Sequence, residues 1–172
     1  MASLLENLID VLDKEHFEYE KLLILAEKKT SAIVKGDVDS LSKITEDEQE
    51  IVGRIQTMEK QRTKVLADVA NVVNRDVETL KLIDLIQMLG KVPEQQEMLR
   101  DVQERLEQTT EKLKSQNEKN QLLLLDKLET VEFDLNLIRA MNSAPQTANY
   151  SKDAYTNGEV LGIFHGGFDA KQ

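Results

Sequence analysis

Few residues in this chain have the types and spacing that chemistry requires. The nearest to a metal motif is Asp13-x-x-His16, an acidic residue and a histidine one turn apart on a helix. Helical di-metal sites repeat that step and add two further carboxylates facing the same core. The only other histidine is His165, far along the chain, so the step reads as a polar pair near the end of a helical seam. The run Glu46-Asp47-Glu48-Gln49-Glu50 is acidic. At helical spacing only Glu48 joins the apolar line, and the others form a solvated face. No glycine-rich phosphate loop, dinucleotide fingerprint or GxSxG elbow occurs. There is no cysteine, hence neither a disulfide framework nor thiolate chemistry. These absences point to a non-enzymatic chain with no cofactor and no metal.

Composition excludes further classes. The chain has 172 residues, 40% of them hydrophobic, with 7 Gly and 2 Pro; this suits a narrow helical core rather than a sheet. A net charge of -10 repels phosphate backbones and anionic lipid, so neither nucleic acid nor a membrane surface is an expected partner. The start MASLLENLIDVLDKEH lacks a basic region and reads as an amphipathic helix, not a signal peptide. No window approaches the roughly 18 apolar residues of a membrane span.

What must position any functional side chain is a set of long helices. From Leu41 an unbroken 3-then-4 stepping gives Leu41, Ile44, Glu48, Ile51, Ile55, Met58, Arg62, Val65, Val69 and Val72. Such a stripe stays on one face of a slightly underwound helix and is buried against other helices. The two charged members, Glu48 and Arg62, are expected to meet polar residues of a neighbouring helix.

An earlier helix over 3–35 carries Leu5, Leu8, Leu12, His16, Tyr19, Leu23, Ala26, Thr30 and Ile33. Ser3 fits its N-cap and Gly36 its stop. The striped helix spans 38–73, capped by Asp37 or Asp39. A short helix over 79–89 is expected to cover Leu4, Leu5 and Ile9. Pro93 opens a last helix over 93–141. The fold class is therefore all-α: an elongated antiparallel three-helix bundle or coiled coil over residues 1–142, with one extra short helix. Residues 143–172, with Pro145 and scattered Asn and Gly, read as a flexible C-terminal tail.

The last helix has two apolar lines. Its core stripe begins Leu99, Val102, Leu106, Thr109, Leu113, turns polar at Gln116, Asn117 and Asn120, and resumes as Leu124, Leu128, Val131, Leu135 and Ile138. A second line, Leu122, Leu125, Phe133 and Leu137, runs beside it. A helix apolar around most of its girth is covered on more than one side. Leu122, Leu125, Phe133, Leu137, Ile138 and Met141 are therefore the expected partner-binding residues, whether the partner is another protein or a second copy in a homodimer; the alternative is cover from within the chain by the short helix or the tail. In the tail, Tyr150, Tyr155, Phe164 and Phe168 are four of the chain's seven aromatic residues; they suit short-motif contacts or folding back on the bundle.

The order of these parts resembles one family. Gly36-Asp37 ends the leading helix. Leu41 follows, then Glu48, Ile51, Val52, Ile55, Met58, Glu59 and Arg62. Thr79-Leu80, Leu82-Ile83 and Leu85-Ile86 mark the short helix. Asn117 and Asn120 precede Leu122–Leu125. Over residues 1–142 this resembles the FlgN family of flagellar export chaperones, and the Phe168-Asp169-Ala170-Lys171 ending extends the likeness into the tail. The resemblance implies a cytoplasmic helical chaperone, not an enzyme. Such a protein masks the C-terminal helices of hook-associated proteins 1 and 3, the hook–filament junction proteins. It then delivers them to the flagellar export gate. The resemblance also places client contacts towards the C-terminal helix. The alternative is a structural coiled-coil scaffold acting by self-association.

Overall fold

A computed structural model describes residues 2–78 and 80–143. It contains α1 (Ala2–Lys35), α2 (Val38–Val73), α3 (Leu82–Met88), a 3-10 turn (Leu89–Lys91) and α4 (Pro93–Ser143). The all-α class is as expected, with no strand among the described residues. The chain divides into two compact units, Met1–Glu132 and Phe133–Gln172. Of the second, the described part is the closing segment of α4, Phe133–Ser143.

Local chemistry sets the helix ends. Gly36 takes φ +69°, and the Gly36 and Asp37 amides donate to the Ile33 and Ala32 carbonyls at 3.1 and 3.0 Å. This left-handed stop satisfies carbonyls that the helix end would orphan. Asn74 does the same for α2 at φ 53°, with the Arg75 amide reaching the Ala70 carbonyl at 2.9 Å. Asp37 caps α2: one carboxylate oxygen accepts from the Ser40 amide at 3.0 Å, the other from the Ser40 hydroxyl at 2.6 Å. Those bonds hold its pKa below the usual carboxylate value.

Two expected ends moved. Ser3 lies inside α1, which already includes Ala2, so it is not the cap. The short helix starts at Leu82 rather than residue 79. Lys81 is extended, and its amide donates to the Asp84 carboxylate at 3.1 Å, which fixes the first turn there. It ends by tightening into the 3-10 turn through Gly90.

Within Met1–Glu132 the cross-helix bonds fix directions. Glu15 meets Arg62, Glu18 meets Arg54 and Lys29 meets Glu48, so α1 and α2 are antiparallel. Asp13 meets Arg105, His16 meets Thr109 and Thr30 meets Asn120, so α4 runs parallel to α1. One apolar cluster joins Leu5, Leu8, Ile9 and Leu12 of α1 to Val65 and Val69 of α2, Leu85 and Ile86 of α3, and Leu99 and Val102 of α4. The short helix thus covers Leu5 and Ile9 as expected, with Leu4 packed at the edge. A smaller cluster, Leu22, Ile51 and Ile55 with Tyr19, Leu25 and Leu113, continues the core. The α2 stripe is the internal seam over Ile51–Val69; Val72, its last member, is exposed.

Candidate partner-binding surface

Polar residues of the seams pair across the helices. His16 is buried, with Nε2 3.1 Å from the Thr109 hydroxyl. Asp13 binds Arg105 at 2.7 Å. The Asp13-x-x-His16 step is therefore built into helix pairing. No group of three or more metal-ligating side chains assembles among the described residues. Glu48 pairs with Lys29 at 2.6 Å, and Arg62 with Glu15 at 3.1 Å. The expectation that Glu48 and Arg62 meet polar neighbours holds.

Two buried glutamates on α1 behave oppositely. Burial raises the pKa of Glu15; Arg62 opposes that shift and Glu59 adds to it. Burial also acts on Glu18, but there Lys21 and Arg54 outweigh it and the pKa falls. The difference is the number of cations: Glu18 accepts from two, at 2.7 and 3.0 Å, and Glu15 from one.

The last tie between α1 and α4 is a polar layer. The Gln116 amide donates to the Thr30 hydroxyl, which donates to the Asn120 side-chain carbonyl. The Asn120 amide then donates to the Ala26 backbone carbonyl at 2.7 Å. Asn120 is buried and fully partnered, so its bonds hold only in this register. Asn120→Ala is expected to lower stability by about 1–3 kcal/mol, because the Thr30 hydroxyl and the Ala26 carbonyl each lose a bond inside the seam. Urea midpoints by circular dichroism check this.

Beyond that layer the seam changes phase. From Leu99 the line facing α1 and α2 steps 99, 102, 106, 109, 113, 116 and 120. Its regular continuation is 123 and 127. Leu123 and Lys127 are indeed half-buried. The large apolar residues, however, sit one position later, at Leu124, Leu128, Val131, Leu135 and Ile138. One residue is a rotation of about 100° on a helix. All five are exposed, from 43% at Leu124 to 57% at Leu128.

The structure therefore corrects the division into a core line and a partner line. The stripe Leu124–Ile138 is not core: after Asn120 no residue of α4 up to Ser143 is buried. The proposed partner residues Leu122, Leu125, Phe133, Leu137, Ile138 and Met141 are exposed too, at 50% or more. The sequence reading missed Leu124 and Leu128 as surface, whereas helix lengths alone already put Val131 and Leu135 on last turns of α4 that outrun the other long helices. The signal was present as the extra residue in the 3-4 stepping at Asn120–Leu124. Tyr150, Tyr155, Phe164 and Phe168 lie outside the described residues.

A groove of about 370 Å³ opens where this surface begins. Leu22 and Ile33 of α1 form its floor, Glu48 and Val52 of α2 one wall, and Asn117 and Leu124 of α4 the other. Val52 is partly exposed there.

The described residues form an all-α bundle with a long exposed apolar face on α4. The FlgN protein family matches residues 1–158, and the chain belongs to that family. The family is one of flagellar export chaperones. Comparison with characterised proteins and with solved structures found no match. No helix among the described residues is long and apolar enough to cross a membrane.

Proposed function

We propose that this chain is a cytoplasmic chaperone for hook-associated proteins 1 and 3. It holds their amphipathic C-terminal helices on α4 and passes them to the flagellar export gate. The observation that carries the reading is the phase change at Asn120. A bundle that needed α4 only for its own core would keep apolar residues at 123, 127 and 130; here Lys127 and Thr130 take the last two. The apolar side chains instead face away, and leaving that much contiguous apolar surface uncovered is unfavourable. A client helix laid on the exposed apolar side chains of α4 covers them. Covering the client's own stripe in the same act suppresses its premature polymerisation. The tail aromatics Tyr150 and Tyr155 are proposed to contact the export gate.

Calorimetry of the full chain with C-terminal helical fragments of the two junction proteins tests this. Binding is expected with Kd at or below the order of tens of micromolar. Leu137→Asp is expected to weaken it about tenfold or more, since it puts a charge in a desolvated contact. Absence of binding by both fragments would sink the assignment of clients.

A further inference from the structure

The exposed stripe of α4 carries a complete set of pairing signals for itself. With Leu124, Val131 and Ile138 as d positions, Leu128 and Leu135 are a positions. Lys127 and Asp134 are then g positions, and Glu132 and Arg139 are e positions. In a parallel in-register coiled coil, each g residue faces the e residue five places on in the other strand. Those contacts are Lys127 with Glu132 and Asp134 with Arg139, each made twice by symmetry. Every one is an opposite-charge pair. Antiparallel pairing, with Leu128 opposite Val131, brings Lys127 against Asp134 but also Glu132 against Glu132.

Among the described residues these charges are hardly used. Lys127, Glu132 and Asp134 make no ion pair or hydrogen bond among the described residues, and Arg139 reaches only Asn136, at 3.5 Å. Gln121 and Asn142 take the a positions at the two ends of the stripe, where polar residues specify register in parallel pairs.

We infer that α4 pairs with α4 of a second copy of this chain, parallel and in register, through Leu124, Leu128, Val131, Leu135 and Ile138. The pairing uses the same helix as the client reading but not its argument. The experiment contains no client, so the two fail separately.

The full chain is examined by sedimentation equilibrium from about 1 to several hundred micromolar, and concentration-dependent association is expected. Lys127→Glu with Asp134→Arg leaves net charge unchanged but turns every facing pair repulsive; it should weaken association about tenfold or more. Adding Glu132→Lys and Arg139→Glu restores opposite pairing and should restore association. Helical content checks that each variant remains folded.

Orientation is read by Asn142→Cys, since the native chain has no cysteine. Parallel pairing puts the two sulfurs within disulfide reach. Antiparallel pairing separates them by on the order of 40 Å. Rapid oxidation to a disulfide-linked dimer, lost in the charge-reversed double variant, supports the inference. A monomer throughout the range, association indifferent to both charge sets, or no cross-link overturns it.

Discussion

Ile55→Asp abolishes the cooperative unfolding transition of the full chain, whereas Leu125→Asp leaves it within about 0.5 kcal/mol of the parent. That is the expected result of placing the same charge on two apolar positions. Ile55 is 5% exposed and packs with Leu22 and Ile51 in the seam between α1 and α2. An aspartate there loses the apolar contacts and buries a carboxylate with no cation supplied for it. Truncation alone costs about 2–5 kcal/mol, and the unpaired polar group adds several more. The sum approaches the entire stability of a typical domain, about 5–15 kcal/mol. Leu125 is 52% exposed, so its aspartate stays hydrated. Thermal melts followed at the helical circular-dichroism band separate the two. A comparable loss in both variants would mean that α4 after Asn120 is held by the bundle after all.

Arg62→Met is expected to cost about 3–5 kcal/mol at neutral pH, and Glu15→Leu with Arg62→Met together far less. Glu15 is 1% exposed, and Arg62 is the only cation within 4 Å of its carboxylate among the described residues. Removing the guanidinium leaves a buried charge uncompensated; removing both charges leaves an apolar contact, which is often neutral or stabilising. The pH dependence has a definite sign. Burial holds the folded-state pKa of Glu15 above its ordinary value. Its contribution is therefore fully favourable below the unfolded pKa and is lost as pH rises through the folded one. Acidification from neutrality towards the ordinary carboxylate range should recover part of the Arg62→Met loss, and Glu15→Gln should remove that recovery. Urea midpoints across that pH range decide it. An Arg62→Met loss that does not change with pH would show that Glu15 is not its source.

Much of this molecule is written in local rules. Gly36, Asp37 and Pro93 mark ends that the structure keeps, because a left-handed stop, an N-cap and a helix-initiating proline are decided by the residues themselves. The stripe from Ile51 to Val69 is the seam it reads as, since the 3-4 period admits one buried face. The polar members Glu48 and Arg62 announced partners, though not which ones: Lys29 and Glu15 come from α1 and meet them only once register is set. The start of α3 at Leu82 was not legible, because Asp84 competes locally for the Lys81 amide.

The candidate surface was legible in part. Leu122, Leu125, Phe133 and Leu137 stand out by crowding of apolar residues, and they are exposed. Leu124 and Leu128 read as core, because a heptad stripe looks the same whether its cover is intramolecular or another chain. By itself, then, the sequence determined the helices, several of their ends, and which faces are apolar. Tertiary structure alone decided where the bundle stops using α4. The layer of Thr30, Gln116 and Asn120 locks one register between α1 and α4, and the next apolar residues fall about 100° off that line. An apolar stripe records that a surface is to be covered; only the packing of the other helices shows that none of them is the cover.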